Sequence, residues 1–265
     1  MRPRARVVIL AFSVLSGLIT TGCATGGFVR PSGLATPFPE APAIWAEMTR
    51  VCSDVSGARA ELRVSGRLNG ERASGVIVGL AVDASRLGII GRVGGTNLFH
   101  AAGAVSDVTL LLQRERQFVR GPAADIVEGL AGIRLEPSRL LSLLSGCVTT
   151  AREVSQSERV DAFVRITMPD AVVYLKQQGS GWQLAAAEID GNLTVDFRRI
   201  DAAGRPRELT LRRLPDATIT LRVVEFLPNP PLPDELFGVA VPGSFTETAL
   251  DAFRAGGAAG VPRNP

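Results

Sequence analysis

Residues 59–68 read Arg-Ala-Glu-Leu-Arg-Val-Ser-Gly-Arg-Leu. Ala60, Leu62, Val64, Gly66 and Leu68 fall on one side of an extended chain, and Arg59, Glu61, Arg63, Ser65 and Arg67 on the other. That two-residue period is the pattern of a strand with one face in a core and the other in water. Asn69-Gly70 comes next, the strongest short signal for a hairpin turn. It leads into 72–82, apolar on both faces and softened by Gly75 and Gly79. Further out, 86–93 reads as a third strand, and Gly94-Gly95-Thr96-Asn97 turns it into 98–104. A further hairpin joins 107–113 to 117–120. The period then changes: 123–130 reads as a short helix and 137–144 as a second, with Pro137 in its first turn, Gly146 after its end and an apolar face of Leu140, Leu141, Leu143 and Leu144. Strands resume at 159–168, 171–177, 182–188, 193–200, 207–214 and 218–226. Upstream, 43–57 reads as a helix, with Ile44, Met48 and Val51 on one face, Trp45 and Cys52 beside them and Gly57 to stop it.

The order is therefore helix, about six strands, two helices, about six strands. Strands and helices do not alternate, which argues against a parallel sheet. The fold class expected is α+β, mainly β: an unclosed antiparallel β-barrel, or strongly curved sheet, capped by helices. Many inward positions are Ala, Gly or Val, so the concave face has room for a helix plug or an apolar ligand. The Pro-rich stretch 228–237 follows, in which Leu236-Phe237 can dock on the sheet. The domain reading is 1–22 leader, 23–42 flexible tether rich in Gly, Pro, Ser and Thr, 43–245 folded domain, and 246–265 flexible Ala/Gly-rich tail.

The leader has Arg2, Arg4 and Arg6 ahead of an apolar core over 7–19, and then small residues: the layout of a secretory signal peptide. The core is shorter than the ~20 apolar residues of a spanning helix. Thr20-Thr21-Gly22-Cys23 resembles a bacterial lipobox. The resemblance implies cleavage between Gly22 and Cys23, with diacylglycerol and fatty acyl groups such as palmitate on Cys23. Thr20 departs from the usual large aliphatic residue at its position, and Ala24, where an Asp favours inner-membrane retention, points to the outer membrane and its periplasmic face. The 265 residues carry 29 Lys and Arg against 26 Asp and Glu. Three of those arginines lie in the leader, leaving 26 basic against 26 acidic residues, so no nucleic-acid footprint is expected.

Beyond the leader, the tether, the N-terminal helix and the hairpin opened by Ala60-Glu61-Leu62-Arg63-Val64 resemble the LolA/LolB-like lipoprotein-localisation superfamily, and more closely its less studied outer-membrane lipoprotein branch. The resemblance rests on the order of Arg92 to Phe99, Thr109 to Leu112, Gly132 to Leu140 and Gly146-Cys147, and spans roughly 43–240. It implies a half-barrel with an apolar cavity for acyl chains or lipoproteins, a carrier or acceptor with no covalent chemistry, and a place in outer-membrane lipoprotein or lipid sorting. By the same resemblance Leu98 and Phe99 are candidates for a membrane-touching or ligand loop. Leu62, Val64, Val76, Val78, Ile89, Leu111 and Trp182 are candidate cavity-lining residues. The other reading is a structural accessory lipoprotein that holds an envelope protein partner.

With Cys23 used for the anchor, Cys52 and Cys147 are the two remaining thiols in an oxidising compartment, where cysteines usually join. No cofactor is expected. One histidine rules out multi-His metal sites, and Asp107, Asp125, Glu128 and Glu136 have no metal-ligand spacing. His100 has no sequence-adjacent nucleophile or carboxylate, and no Gly-x-Ser-x-Gly elbow is present, so an enzyme is not expected.

Overall fold

The computed structural model describes residues 27–50, 54–68, 71–149, 153–213, 215 and 217–256. After a short edge strand β1 (Ala35–Pro37) and helix α1 (Ala41–Thr49), six strands form a meander: β2 (Gly57–Leu68), β3 (Glu71–Asp83), β4 (Arg86–Val93), β5 (Thr96–Ala104), β6 (Asp107–Leu112) and β7 (Gln117–Gly121). Helices α2 (Ala123–Ala131) and α3 (Pro137–Leu144) follow. A second meander then runs through β8 (Gln156–Val160), β9 (Phe163–Thr167), β10 (Ala171–Gln178), β11 (Gly181–Ile189), β12 (Leu193–Ile200), β13 (Pro206–Arg213) and β14 (Ala217–Pro228). A 3-10 turn (Asp234–Phe237), a two-residue strand β15 (Thr246–Glu247) and helix α4 (Leu250–Gly256) end the described chain.

All strands belong to one sheet, in the order β1-β8-β9-β10-β11-β12-β13-β14-β2-β3-β4-β5-β6-β7-β15. Its edges do not meet, so the barrel is unclosed and strongly curved. Every pairing is antiparallel except that of β15 on β7. The two meanders join through β14 and β2, paired from Ala217↔Leu68 to Pro228↔Ala58 with one register shift between Val223 and Glu225. Laid flat, such a sheet would be about 65 Å wide, whereas a helix of eight or nine residues is about 13 Å long. Yet one face of β2 to β14 shares a single continuous core with α2 and α3. The sheet must therefore wrap around the helix pair, and its helix-covered face is the concave one.

Local chemistry sets the helix ends. Gly132 takes a left-handed φ of 67°, and its N–H closes α2 on the Glu128 carbonyl. Pro137 opens α3, and Gly146 follows it with φ 81°.

Four expectations need correction. The segment 159–168 is not one strand but the β8–β9 hairpin, turning at Asp161 (φ 52°), a residue type that tolerates the left-handed region. Within 23–42, residues from Gly27 onward are docked and Ala35–Pro37 pairs with β8, so this part is no free tether. Within 246–265, β15 pairs with β7, and α4 packs Phe253 into the core, leaving it 7% exposed. The N-terminal helix runs Ala41–Thr49 rather than 43–57. The leader, Gly22, Cys23, Cys52, Asn69 and Gly70 lie outside the described residues.

Candidate functional site

The strands alternate, so each inner-face residue is fixed by register. Leu62 pairs with Val78 across β2 and β3, and Leu80 with Ile89 across β3 and β4. Leu62, Val76, Val78 and Ile89 are all buried in the shared core. Val64 and Trp182 are only partly buried against it. Leu111 is placed differently: Leu110 and Leu112 belong to the inner core and Leu111 does not, so it is buried on the outer face. It is therefore no cavity-lining residue. Three consecutive leucines hid the alternation.

The helix pair crosses the cup from one rim to the other and back. The α2 N-terminus lies beside the β5–β6 turn, where the Ala123 N–H donates to the Val105 carbonyl (2.8 Å). The chain after α3 returns to the same end, where a Cβ on Gly146 would press on the Gly204 carbonyl. At the other rim, the α2–α3 connection is held by charge. Glu128 accepts from Arg213 of β13 and from Arg254 of α4 (both 2.7 Å), and Arg134 pairs with Asp125. Burial pulls the Glu128 carboxyl upward, and Arg213 and Arg254 outweigh it, so its pKa ends below the ordinary value. Asp125 and Glu128 thus tie the helices to sheet and tail; in the sequence they are only helical acids, and no spacing betrays their arginine partners.

At this rim the apolar lining loosens. Val64, Val93 and Phe99 are half-buried and border the β2–β3 and β4–β5 hairpins. Leu98 and Phe99 do not form a loop tip. Both lie in β5, and Phe99 covers Gly91 so closely that a Cβ there would overlap its ring. The tip is Gly94-Gly95, with φ 56° and 82°, which carries no apolar side chain. At the far rim Arg159 lies over Phe38 (4.7 Å) and Trp182 (5.5 Å), so Trp182 belongs to an aromatic cover at the edge rather than to an open wall.

His100 points to the outer face between Ile90 and Leu111, and its pKa is lowered by burial. Cys147 is buried just after α3. Among the described residues no cluster of three His, Cys, Asp or Glu could hold a metal, and no helix is long and apolar enough to cross a membrane. On the outer face, Phe237 is buried under Arg86 (4.1 Å), and the Leu236 carbonyl lies on Gly88, so this stretch docks on the sheet.

No family model and no curated protein matches the chain. Among solved structures, a LolA superfamily protein from Nitrosomonas europaea superposes with a TM-score of 0.50 at 10% identity, over 73% of this chain and 96% of its own. The fold is LolA-like. A DUF1329 family protein from Desulfovibrio piger matches at TM-score 0.44 and 11% identity, over 76% of this chain and 97% of its own. The Mycobacterium tuberculosis lipoprotein LppX matches at 0.32 and 10%, over 77% and 99%. In the LolA-like frame the charged rim holds the connection of the helix pair that fills the cup.

Proposed function

We propose that this protein is a membrane-anchored lipoprotein that binds acyl chains, free or carried by lipoproteins, between the α2–α3 pair and the concave face. It serves lipid or lipoprotein sorting at the periplasmic face of the bacterial outer membrane, with Cys23 as the anchor. The observation carrying this reading is the continuous apolar inner face of an unclosed sheet, covered by two short helices rather than by a second sheet. A hydrocarbon chain that parts helix from sheet exchanges one apolar contact for another and gains about 0.8 kcal/mol per methylene removed from water. Entry is at the rim bordered by Val64, Val93 and Phe99. Cys52 and Cys147 join in a disulfide; what supports this is the burial of Cys147 just after α3 and the assignment of Cys23 to the anchor, which leaves these two thiols to pair.

The test is native mass spectrometry of the protein purified from its membranes, with uptake of a fluorescent fatty acid. Lipid adducts are expected. Val64→Glu is expected to weaken uptake about tenfold, the worth of roughly two lost methylene contacts. A protein free of adduct that takes up no fatty acid and co-purifies with a stable envelope partner would replace this reading with that of an accessory lipoprotein.

A further inference from the structure

The first described residues form a strap across the outer face of the second meander. The Phe28 N–H donates to Asp196 of β12 (2.9 Å), and Arg212 of β13 donates to the Phe28 carbonyl (3.3 Å). Arg212 also grips Asp196 with two hydrogen bonds of 2.7 Å. The Phe28 ring packs on Phe163 and Tyr174 (centroids 5.6 and 4.7 Å away). Further along, Arg30 pairs with Glu188 of β11, and the Gly33 N–H donates to Asp161 (3.2 Å). Through main chain and side chains the strap is thus fixed against five strands and a turn before it becomes β1.

Two side chains of this fixed strap face away from the protein. Val29 is 80% exposed and Leu34 is 95% exposed, well above Ile77, Val224 and Leu227, at 37%, 43% and 43%. An apolar side chain on a mobile tail costs little, but here the backbone is clamped and holds both outward. Gly27 follows Cys23 by four residues. Four residues reach at most about 14 Å.

We infer that the strap is a membrane seat: Val29 and Leu34 enter the lipid interface beside the acylated Cys23, and the outer face of β8 to β13 lies against the bilayer. The inference rests on the proposed anchor at Cys23. The partner is a lipid surface because acyl chains on Cys23 would bring one within reach of this face. Charge does not drive the contact. Arg30, Arg165 and Arg212 are matched by Glu188, Glu158 and Asp196. The seat therefore needs no anionic lipid. It also orients the cup, placing the β4–β5 half of the sheet away from the anchored half.

The full acylated chain, reconstituted in phosphatidylcholine vesicles containing brominated acyl chains, provides the test. Tryptophan is introduced as Val29→Trp, Leu34→Trp and, on the far half, Glu235→Trp; the parent protein supplies the background of Trp45 and Trp182. Emission added at 29 and 34 is expected to fall about two-fold or more, as for side chains 5–10 Å into the interface, and emission at 235 to stay unquenched. The intact mass reads acylation separately. An acylated protein with positions 29 and 34 unquenched would overturn the seat and leave the anchor standing, as would quenching that appears only with anionic lipid. An unacylated Cys23 would overturn the anchor and the seat together, since nothing then holds Gly27 at the bilayer.

Discussion

Asp196 is 2% exposed on a face that carries mostly solvated side chains. Such a carboxylate is tolerable only if its oxygens are matched, and the Arg212 fork and the Phe28 N–H do this. The strap is therefore part of how the second meander satisfies its own buried charge. Tyr174 nearby shows the same closure: burial first, then Glu188, pushes its hydroxyl up to about 12. Among the described residues, His100 on the other meander has no such partner. Its pKa falls below 6.5 because burial penalises the imidazolium. The unfolded chain then binds a proton before the native one does, so stability rises with pH across that interval. Stability is expected to begin to fall as pH drops through 6.5, toward the lowered native value. Asp83 and Glu128, whose native pKa values are also lowered, lose their contribution only further into acid. Urea midpoints of wild type and His100→Gln, measured from pH 8 to about 3.5, check this. The variant should lose the early decline and keep the later one; identical profiles would show that His100 is not responsible.

Helix α4 has seven residues, too short to persist alone, so its existence depends on what it touches. Phe253 lies on Gly129 of α2, where a Cβ would overlap its ring, and Leu250 lies on Gly121. Removing the Phe253 ring should release the whole helix. Phe253→Ala is expected to bring amide exchange of Leu250–Gly256 close to that of free chain and to cost about 1–3 kcal/mol, less than a central core deletion because the loss is local. Gly129→Ala should destabilise the wild type yet be neutral or mildly stabilising in the Phe253→Ala background, where helix propensity alone operates. Additive effects would show that the two residues do not meet. Ala and Gly dominate the tail and predict fraying; Leu250 and Phe253, three residues apart, are the signal for a helix. Strands such as Arg86–Val93 and Leu193–Ile200, and the helix Pro137–Leu144, were legible to the residue because alternation, glycine turns and a leading proline all act locally. The strap was not legible, since irregular backbone has no period and its partners Asp196 and Arg212 lie some 170 residues or more away. The arginine partners of Glu128 escaped for the same reason. Leu62, Val76, Val78 and Ile89 lie in the buried core, but periodicity reports a face and not what covers it.

At the scale of the molecule, two meanders built from local hairpins become one sheet only through β14 and β2. Leu62 faces Val223, and every other pair along that seam is comparably distant in sequence. Such contacts form only after a long loop closes, which makes the seam the slow and costly part of folding. Gly66 marks its tightest point. Its φ is 157°, the β2–β3 register shifts there, and a Cβ would overlap the Thr218 carbonyl oxygen of β14. The clash is with backbone, which cannot rotate away as a side chain would, so the strands themselves must part. Gly66→Val is expected to cost about 3 kcal/mol or more by urea unfolding, as strain and lost pairing add. The transition should also broaden or split, because the meanders then melt separately. Gly79→Ala is the matched control: its Cβ would meet only the Ile90 carbonyl at 4.0 Å, so stability should change little. A Gly66→Val protein that melts once, at the wild-type midpoint, would show that the helix pair and core hold the halves together without the seam; a split transition would show that the curvature on which acyl-chain binding depends is set where the two ends of the chain meet.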